Sequence, residues 1–269
     1  MKKQILIYLI VLLLPCAIFA RTPCYNGEEN CWECGQDCTA RFNPSTKTFQ
    51  VSGTGQMAGL ATDGQAANVP WYSVRNSVKN ITFEGSITSL STYAFYGMSV
   101  ENVTIPDSVT DIGVGAFYEC YSLKNVTIPD SVKTIDIYAF AKTNLDSIVI
   151  PDSVISIPSS NFFSNPNLTS IIIDDATRII YNVNSAYGIN ENLKIYCTGD
   201  LAKCKQNAPE FEDRIIKAST KQINGVTYVY DTNGKLCAKS GIRKNKRIYT
   251  IDEANAVAGT TNHLKIRYR

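Results

Sequence analysis

The sequence predicts a solenoid, in which short repeated units stack so that their parallel β-strands form one sheet. The first observation is a long repeat, because ENVTIPDSVTDIGVGAF at 101–117 returns 23 residues later as KNVTIPDSVKTIDIYAF at 124–140. The second is a common frame, L-x-x-V-x-I-P-x-x-x-V-x-x-I-x-x-x-A-F, which begins at residues 78, 100, 123, 145 and 168. A partial copy places Leu193 and Ile195 on a further strand. A period of 22 or 23 residues is typical of leucine-rich repeats.

Each part of the frame has a physical role. The alternation of Val126 and Ile128 is that of a short strand with one buried face, and Pro129 ends the strand because it cannot donate to the sheet. The following Asp-Ser pair begins a turn. The inward Ala-Phe positions predict an aromatic column of Phe95, Phe117, Phe140 and Phe162. One unit cannot bury these faces alone, so the sequence predicts an α/β-type leucine-rich repeat solenoid with short parallel strands and an irregular or short helical convex side.

The repeat pattern closely resembles the BspA-like class of leucine-rich repeats, in which a proline follows the strand and an AF pair lies on the convex side. Upstream, FQVSGTGQM at 49–57 and VPWYSVRNSVKNITFEG at 69–85 resemble the segment that precedes the repeats in many such proteins. The resemblance implies a bacterial surface protein that contacts host matrix proteins, other bacteria or glycans. The fifth copy, IIIDDATRII, lacks the proline, and the sixth is half a unit, as expected of degenerate terminal repeats.

The N-terminus predicts export. Two lysines precede an apolar run at 5–15, and Ala20 is a suitable last residue before cleavage, so residues 1–20 form a predicted signal peptide. A lipid on Cys16 is the alternative, which Pro15 disfavours. We expect an extracellular or cell-surface location, with the periplasm as an alternative, and no transmembrane span in the mature chain. A net charge of +2 is too small for nucleic-acid binding by the whole molecule.

The cysteines predict disulfides, because eight remain after Cys16 and the compartment is oxidising. Four of them lie together near the mature N-terminus: Cys24, Cys31, Cys34 and Cys38. Two local disulfides are the favoured interpretation, and a zinc site is the alternative, although only Cys31 and Cys34 form a CxxC knuckle. Cys197 and Cys204 are spaced for a local bridge, whereas Cys120 is expected to be a buried structural thiol.

Four regions follow from these patterns. After the signal peptide we expect a Cys-rich cap at 21–77, repeats with a C-terminal cap at 78–219, and a basic subdomain at 220–269. In the tail, alternating residues around Thr232–Gly234 predict a hairpin, IDEANAVAG a short helix and HLKIRYR a strand, which together give a small ββαβ-like unit. This tail is either a solvated subdomain or a device for export or for holding an anionic envelope polymer.

The sequence does not predict an enzyme. Its one histidine, His263, lies near the C-terminus, and no nucleophile-elbow sequence occurs. The glycines at 53, 55 and 59 lack the spacing of a dinucleotide-binding loop. Aspartates at 107, 130 and 152 follow strand-ending positions, so turn formation explains them better than calcium binding. We therefore expect no catalytic residue, no cofactor and no metal.

The strand positions that point outward predict a binding surface. One row runs Asn80, Asn102, Asn125, Ser147, Ser170, Asn192, and its neighbour runs Thr82, Thr104, Thr127, Val149, Ile172, Lys194. This strip could bind an extended polypeptide or a glycan; alternatively, Asn and Thr simply tolerate exposed strand sites. Outward Val149 and Ile172 favour a contact surface. The predicted function is a binding or adhesion module for an unidentified protein or glycan, and the alternative is a structural envelope component tethered by its basic tail.

Overall fold

A computed structural model gives the fold and describes residues 24, 28–58, 65–174, 176–180, 188–223 and 226–240. The predicted signal peptide lies outside these residues, and so do the helix predicted at 251–259, the strand predicted at 263–269 and His263. Strands dominate the described part, with one short α-helix and several short 3-10 helices. No helix in these ranges is both long and apolar enough to cross a membrane.

An antiparallel meander opens the chain and leads into the repeats. Its strands are β1 (Cys31–Gly35), β2 (Cys38–Asn43) and β3 (Thr48–Gln56), and β3 then pairs in parallel with the long strand β4 (Asn80–Leu90). The alternation in TFQVSG buries Phe49 and Val51 on one face of β3. Phe49 contacts Trp71 at a ring-centroid distance of 5.2 Å, and the Trp71 indole N–H donates to the carbonyl of Ala94 at 2.6 Å. The meander is thereby joined to the opening repeat.

The repeats form two parallel ladders. In chain order their strands are β5 (Asn102–Thr104), β6 (Asp111–Ile112), β7 (Asn125–Thr127), β8 (Thr134–Ile135), β9 (Ser147–Val149), β10 (Ser156–Pro158), β11 (Ser170–Ile173), β12 (Arg178–Ile180) and β13 (Lys194–Cys197). The odd-numbered strands carry the predicted V-x-I segments and form the concave face. The even-numbered strands follow the turns, and the end of β4 pairs with β6 in that second ladder.

The frame residues form one continuous core. The ring of Phe117 stacks between Phe95 and Phe140, at centroid distances of 5.1 and 5.5 Å, which confirms this part of the predicted column. Phe162 is also buried. The serine of each PDS turn has a role that the sequence did not reveal, because its hydroxyl donates to a carbonyl of the preceding copy. These bonds join Ser108 to Ile87, Ser131 to Val109 and Ser153 to Val132.

Three disulfides are present among the residues that the structure describes, and all are local. They join Cys24 to Cys31, Cys34 to Cys38 and Cys197 to Cys204. The four N-terminal cysteines are therefore paired with one another. Their sulfur atoms form two disulfides and not the zinc site considered as the alternative. Cys204 lies on helix α1 (Leu201–Asn207), whose N-terminus is capped because the Asp200 carboxylate accepts from the Lys203 amide. Cys120 is buried and its thiol donates to the Phe95 carbonyl, and burial raises the pKa of that thiol to about 12.

The chain then builds a small sheet that returns over the concave face. Its strands are β14 (Ile215–Ile223), β15 (Val226–Asp231) and β16 (Leu236–Ser240). The first residues of β14 pair in parallel with β13, and the rest pair antiparallel with β15. β15 and β16 form the hairpin predicted around Thr232–Gly234, whose turn is held by the Asp231 carboxylate accepting from the Asn233 and Lys235 amides. β16 ends against β9 and β7.

Candidate functional site

The predicted strip forms two adjacent rows on the concave face. Asn102 pairs with Asn125 and Thr104 with Thr127 across β5 and β7, and Ser147 pairs with Ser170 across β9 and β11. The Asn125 amide donates to the Asn102 side-chain oxygen at 2.9 Å, so the amide row is ordered by its own hydrogen bonds.

The sixth copy has a different register from the one that we predicted. Lys194 pairs with Ser170, and Tyr196 pairs with Ile172. The prediction that Asn192 and Lys194 continue the two rows was therefore wrong by two residues. The inward residues of β13 are Ile195 and Cys197, because a cysteine in a disulfide occupies the second apolar position of the frame. Of the two residues predicted on this strand, Ile195 lies on β13, whereas Leu193 is buried but precedes it.

The C-terminal half of the strip is closed by the tail sheet. Ile172 is 2% exposed and Tyr196 is 5% exposed, and both pack with Ala218 and Val229 in a second core. Val149, Ile216 and Cys237 pack against the edge of this core. Ser147 and Ser170 of the neighbouring row are also buried. The prediction that Val149 and Ile172 form an exposed apolar contact was wrong, because the chain's own tail covers Ile172 and leaves Val149 only partly accessible.

The N-terminal half of the strip remains open. Thr82, Thr104, Asn80 and Asn102 are exposed, and Asn125 and Thr127 are half-buried. The change from polar to apolar side chains along the second row occurs between Thr127 and Val149, where β16 crosses the sheet. Of the ten residues predicted to bind a ligand, the open surface therefore contains six: Asn80, Thr82, Asn102, Thr104, Asn125 and Thr127.

The meander extends the open half beyond β4, toward the N-terminus, which the repeat frame does not predict. Thr48 pairs with Asn80 and Gln50 pairs with Thr82, so β3 continues both rows. Arg41 pairs with Gln50 across β2 and β3. Arg41, Thr48 and Gln50 line a cleft of about 540 Å³ whose lining also includes Thr82. The signal was available, because an alternation that buries Phe49 must turn Thr48 and Gln50 outward.

An ion pair lies at the far end of this cleft. Arg41 is bonded to the carboxylate of Glu28, with the two nitrogen-oxygen contacts both at 3.3 Å. From β2 to β7 the open surface thus presents a guanidinium, which only donates hydrogen bonds, and amides and hydroxyls, which both donate and accept them. We define the open strip as the surface formed by Arg41, Thr48 and Gln50 together with the six accessible residues Asn80, Thr82, Asn102, Thr104, Asn125 and Thr127.

A polar-aromatic cluster covers the side of the repeats that carries the AF pairs. Tyr96 and Lys142 both donate to the Glu119 carboxylate, the latter at 3.0 Å, and Tyr96 packs against Tyr118. Burial by itself raises the pKa of Glu119, but the hydrogen bonds from Tyr96 and Lys142 outweigh it and lower that pKa below its usual value. Because these groups satisfy one another, we interpret the cluster as structural.

The other candidate chemistry has structural explanations. Asp107, Asp130 and Asp152 are exposed at turns, and no group of three or more metal-ligating side chains occurs in the described ranges. Gly53 is required by packing, because a Cβ there would lie 1.8 Å from the Asp37 carbonyl oxygen. Gly55 has a φ of +77° and open space around it, so its conformation alone favours glycine. Gly59 lies outside the described residues.

Parallel strands with inward apolar residues recur along the chain. Paired positions are 23 residues apart from Asn102 to Asn125 and 24 residues apart from Ser170 to Lys194. This arrangement defines a leucine-rich repeat protein. Its repeats match the family described as BspA type Leucine rich repeat region, which covers residues 71–194 in six copies. No curated protein matches the sequence significantly.

One of the solved structures that resemble this chain supports the same fold. A leucine-rich repeat protein from Eubacterium ventriosum superposes with a TM-score of 0.51 at 21% identity, over 76% of this chain and 48% of that protein. The chain thus spans about half the length of that relative. A leucine-rich repeat protein from T. pallidum gives a TM-score of 0.40 at 19% identity, over 68% of this chain and 79% of that one. At these identities the likeness concerns the fold alone.

Proposed function

We propose that this chain is an exported binding or adhesion module that holds an extended protein or glycan on its open strip. The observation that supports this most is the boundary within the concave face. Apolar outward residues occur where the tail covers the sheet, at Ile172 and Tyr196, whereas the uncovered strands carry exposed Thr82 and Thr104. The tail sheet packs on one half of the concave face, and the open strip is the half that remains accessible.

The size and chemistry of the open strip suit an extended chain. β2, β3 and β4 pair in one sheet, β5 pairs with β7, and β4 contacts β5. Four intervals of at least about 4.8 Å give a length of roughly 19 Å or more. An extended peptide of five or six residues has this length. Amides and hydroxyls that both donate and accept can bind either peptide groups or sugar hydroxyls. We therefore propose both an extended protein segment and a glycan as ligands.

Export is part of the proposal. The apolar run at 5–15 with two preceding lysines supports a signal peptide. The three local disulfides support an oxidising compartment, since such bonds persist outside the cytosol.

A structural envelope role is the second candidate, and the charge of the tail favours it. From Lys235 to the C-terminus the sequence has nine Lys or Arg residues against two acids. Such a segment can hold an anionic polymer through many weak contacts. Because β14 to β16 pack on the concave face, the segment to delete begins after Ser240. Unchanged surface retention of a chain ending at Ser240 would exclude this role.

The binding proposal is tested by capture of immobilised host matrix proteins and arrayed glycans by the chain that starts at Arg21. The variant Thr82→Arg/Thr104→Arg places two bulky cations on the open strip. Its matched control is Thr220→Arg/Thr232→Arg, which changes two exposed threonines of the tail. We expect at least a tenfold loss of capture for the first variant alone. Equal capture by both variants would overturn the proposal, and so would the absence of capture by the unmodified chain.

A further inference from the structure

The tail sheet has a second buried face, on the side that points away from the repeats. Val229 packs toward the concave face in the second core, so alternation along β15 turns Val226, Tyr228 and Tyr230 to the opposite side. These three side chains form a separate apolar cluster, and each is only 7% exposed. We call this side of the tail sheet the outer face.

The described residues do not account for this burial. Among the hydrophobic side chains of the described ranges, only Leu236 packs against the three. A fully buried core residue normally touches about 6–12 others, and a sheet cannot cover its own face. The Tyr230 hydroxyl oxygen is also buried and has no hydrogen-bond partner among these residues, although a buried hydroxyl is normally paired. The outer face therefore needs a covering segment that also carries polar groups.

The exposure of the neighbouring residues shows where this cover lies. Residues directly opposite each other on antiparallel strands share a face, so Lys221 and Ser219 of β14 stand beside Tyr228 and Tyr230. Both of these β14 residues are exposed. Leu236 of β16, which pairs with Tyr230 on the other side, is partly buried and packs on the cluster. The cover therefore lies over β15 and β16 and leaves this part of β14 open.

The segment that follows β16 has the length and the pattern to provide this cover. The sequence continues for 29 residues after Ser240, the last residue of β16. Residues 251–259 are predicted to be helical, with small and apolar side chains in one stripe. The stripe consists of Ile251, Ala254, Val257 and Ala258. Nine helical residues are about 14 Å long and neighbouring strands are about 5 Å apart, so such a helix can lie over both β15 and β16.

From these observations we infer that residues 251–259 dock as a helix on the outer face and pack their apolar stripe against Val226, Tyr228 and Tyr230. The small alanines of the stripe complement the bulky tyrosine rings, and a helix on one face of an antiparallel sheet is a common two-layer arrangement. The docked helix holds both ends of the connection at 241–250, so its four Lys and Arg residues stay beside the tail sheet. The inference is independent of the proposed function, because neither the outer face nor residues 251–259 belong to the open strip.

Thiol accessibility tests whether the segment covers the outer face. Tyr228→Cys and its matched control Val229→Cys are each placed in a mature chain whose free thiols are removed by Cys120→Ser/Cys237→Ser. Both should react slowly with iodoacetamide in the chain that runs from Arg21 to Arg269. In the chain that ends at Ser240, the thiol at position 228 should react at least tenfold faster, whereas the thiol at position 229, on the concave side, should stay protected.

Two outcomes of this comparison would overturn the inference. An unchanged rate at position 228 in the shortened chain would show that residues 241–269 do not cover the outer face. Faster reaction at both positions would show that these residues hold the whole tail sheet together instead of covering one side of it.

A pair of alanine substitutions tests the orientation of the helix. Ala254→Asp places a charge in the stripe, and its matched control Ala256→Asp places the same charge on the opposite side of the predicted helix. In the full mature chain with Tyr228→Cys, only Ala254→Asp should accelerate alkylation, by at least tenfold. Equal rates for the two variants would overturn the inference. A rate at position 228 that rises when the full mature chain is diluted would assign the outer face to a second copy and would overturn it as well.

Discussion

Ile172 and Tyr196 lie side by side on β11 and β13, and both pack with Val229 of the tail sheet. Outward residues of a repeat sheet ordinarily face solvent or a ligand, yet these two belong to a second core. The concave face is consequently divided into a covered half that stabilises the tail and an open half that remains available. This division determines where a ligand can bind and which substitutions should affect stability.

The first prediction compares two residues of the same outward row. Ile172→Ala should lower the free energy of unfolding by about 2–5 kcal/mol, the usual cost of truncating a buried large aliphatic side chain. Thr104→Ala should change it by less than about 0.5 kcal/mol, because Thr104 is exposed. Urea denaturation measures both. Similar small losses in the two variants would mean that the tail does not cover Ile172.

The second prediction concerns the aromatic column. Phe117→Ala should cost about 3–5 kcal/mol, because its ring is fully buried between two stacked rings. Tyr121→Ala is the matched control on the same repeat, since Tyr121 is 64% exposed, and it should cost less than about 0.5 kcal/mol. Thermal and urea unfolding report both values. A loss at Tyr121 comparable to that at Phe117 would contradict the assigned core.

The third prediction distinguishes the two glycines of the SGTG segment. Both have positive φ, +128° for Gly53 and +77° for Gly55, so alanine is strained at either position. Only at Gly53 would the added Cβ also meet backbone. Gly55→Ala should cost about 1–2 kcal/mol for conformation, and Gly53→Ala should cost a further 1–3 kcal/mol or so for overpacking. Equal losses on denaturation would refute the close approach at Gly53.

The fourth prediction is a pH dependence at Asp111. Hydrogen bonds from Thr110 and from Thr134 lower the pKa of the Asp111 carboxyl in the folded chain. A folded pKa below the unfolded value of about 3.9 gives stability that is present above this pH. It is lost as the pH falls through the folded pKa.

Thr134→Val removes one of these donors. The stability difference between the wild type and this variant should therefore be present at pH 7 and smaller at pH 2, because it shrinks as the pH falls below the unfolded pKa of about 3.9 and through the lower folded pKa. Urea denaturation at the two pH values gives the difference. A difference that does not change with pH would show that Thr134 does not stabilise the charged form of Asp111.

The periodic part of the structure could be predicted from the sequence. Each buried strand position recurs in every copy together with the same neighbouring frame positions. The frame therefore located the V-x-I strands, the stacked Phe95, Phe117 and Phe140, and the inward alanines. The local cysteine spacing also identified the Cys197–Cys204 bridge, and it predicted two disulfides among the four N-terminal cysteines without showing which of them pair. Alternation indicates which face a side chain belongs to, and stacked copies reinforce the same assignment.

The covered half could not be predicted by the same means. Alternation shows that Val149 and Ile172 point outward, but it does not show which non-repeating segment packs over them. The apolar character of these two outward side chains indicates that something packs over them. The prediction attributed this contact to an external ligand and not to the chain's own tail. The register of β13 was missed for a related reason, because Cys197 replaces the aliphatic residue that marked the inward position in other copies.

Thiol labelling tests the division of the concave face most directly. Cys120→Ser/Cys237→Ser provides a background without free thiols in the mature chain, to which Thr104→Cys or Ile172→Cys is added. We predict that Thr104→Cys reacts with iodoacetamide at nearly the rate of an unstructured cysteine and that Ile172→Cys reacts at least tenfold more slowly. Ending the chain after Ser219 should remove the protection at position 172. Equal rates at the two positions in the full chain would contradict a tail that covers half of the concave face.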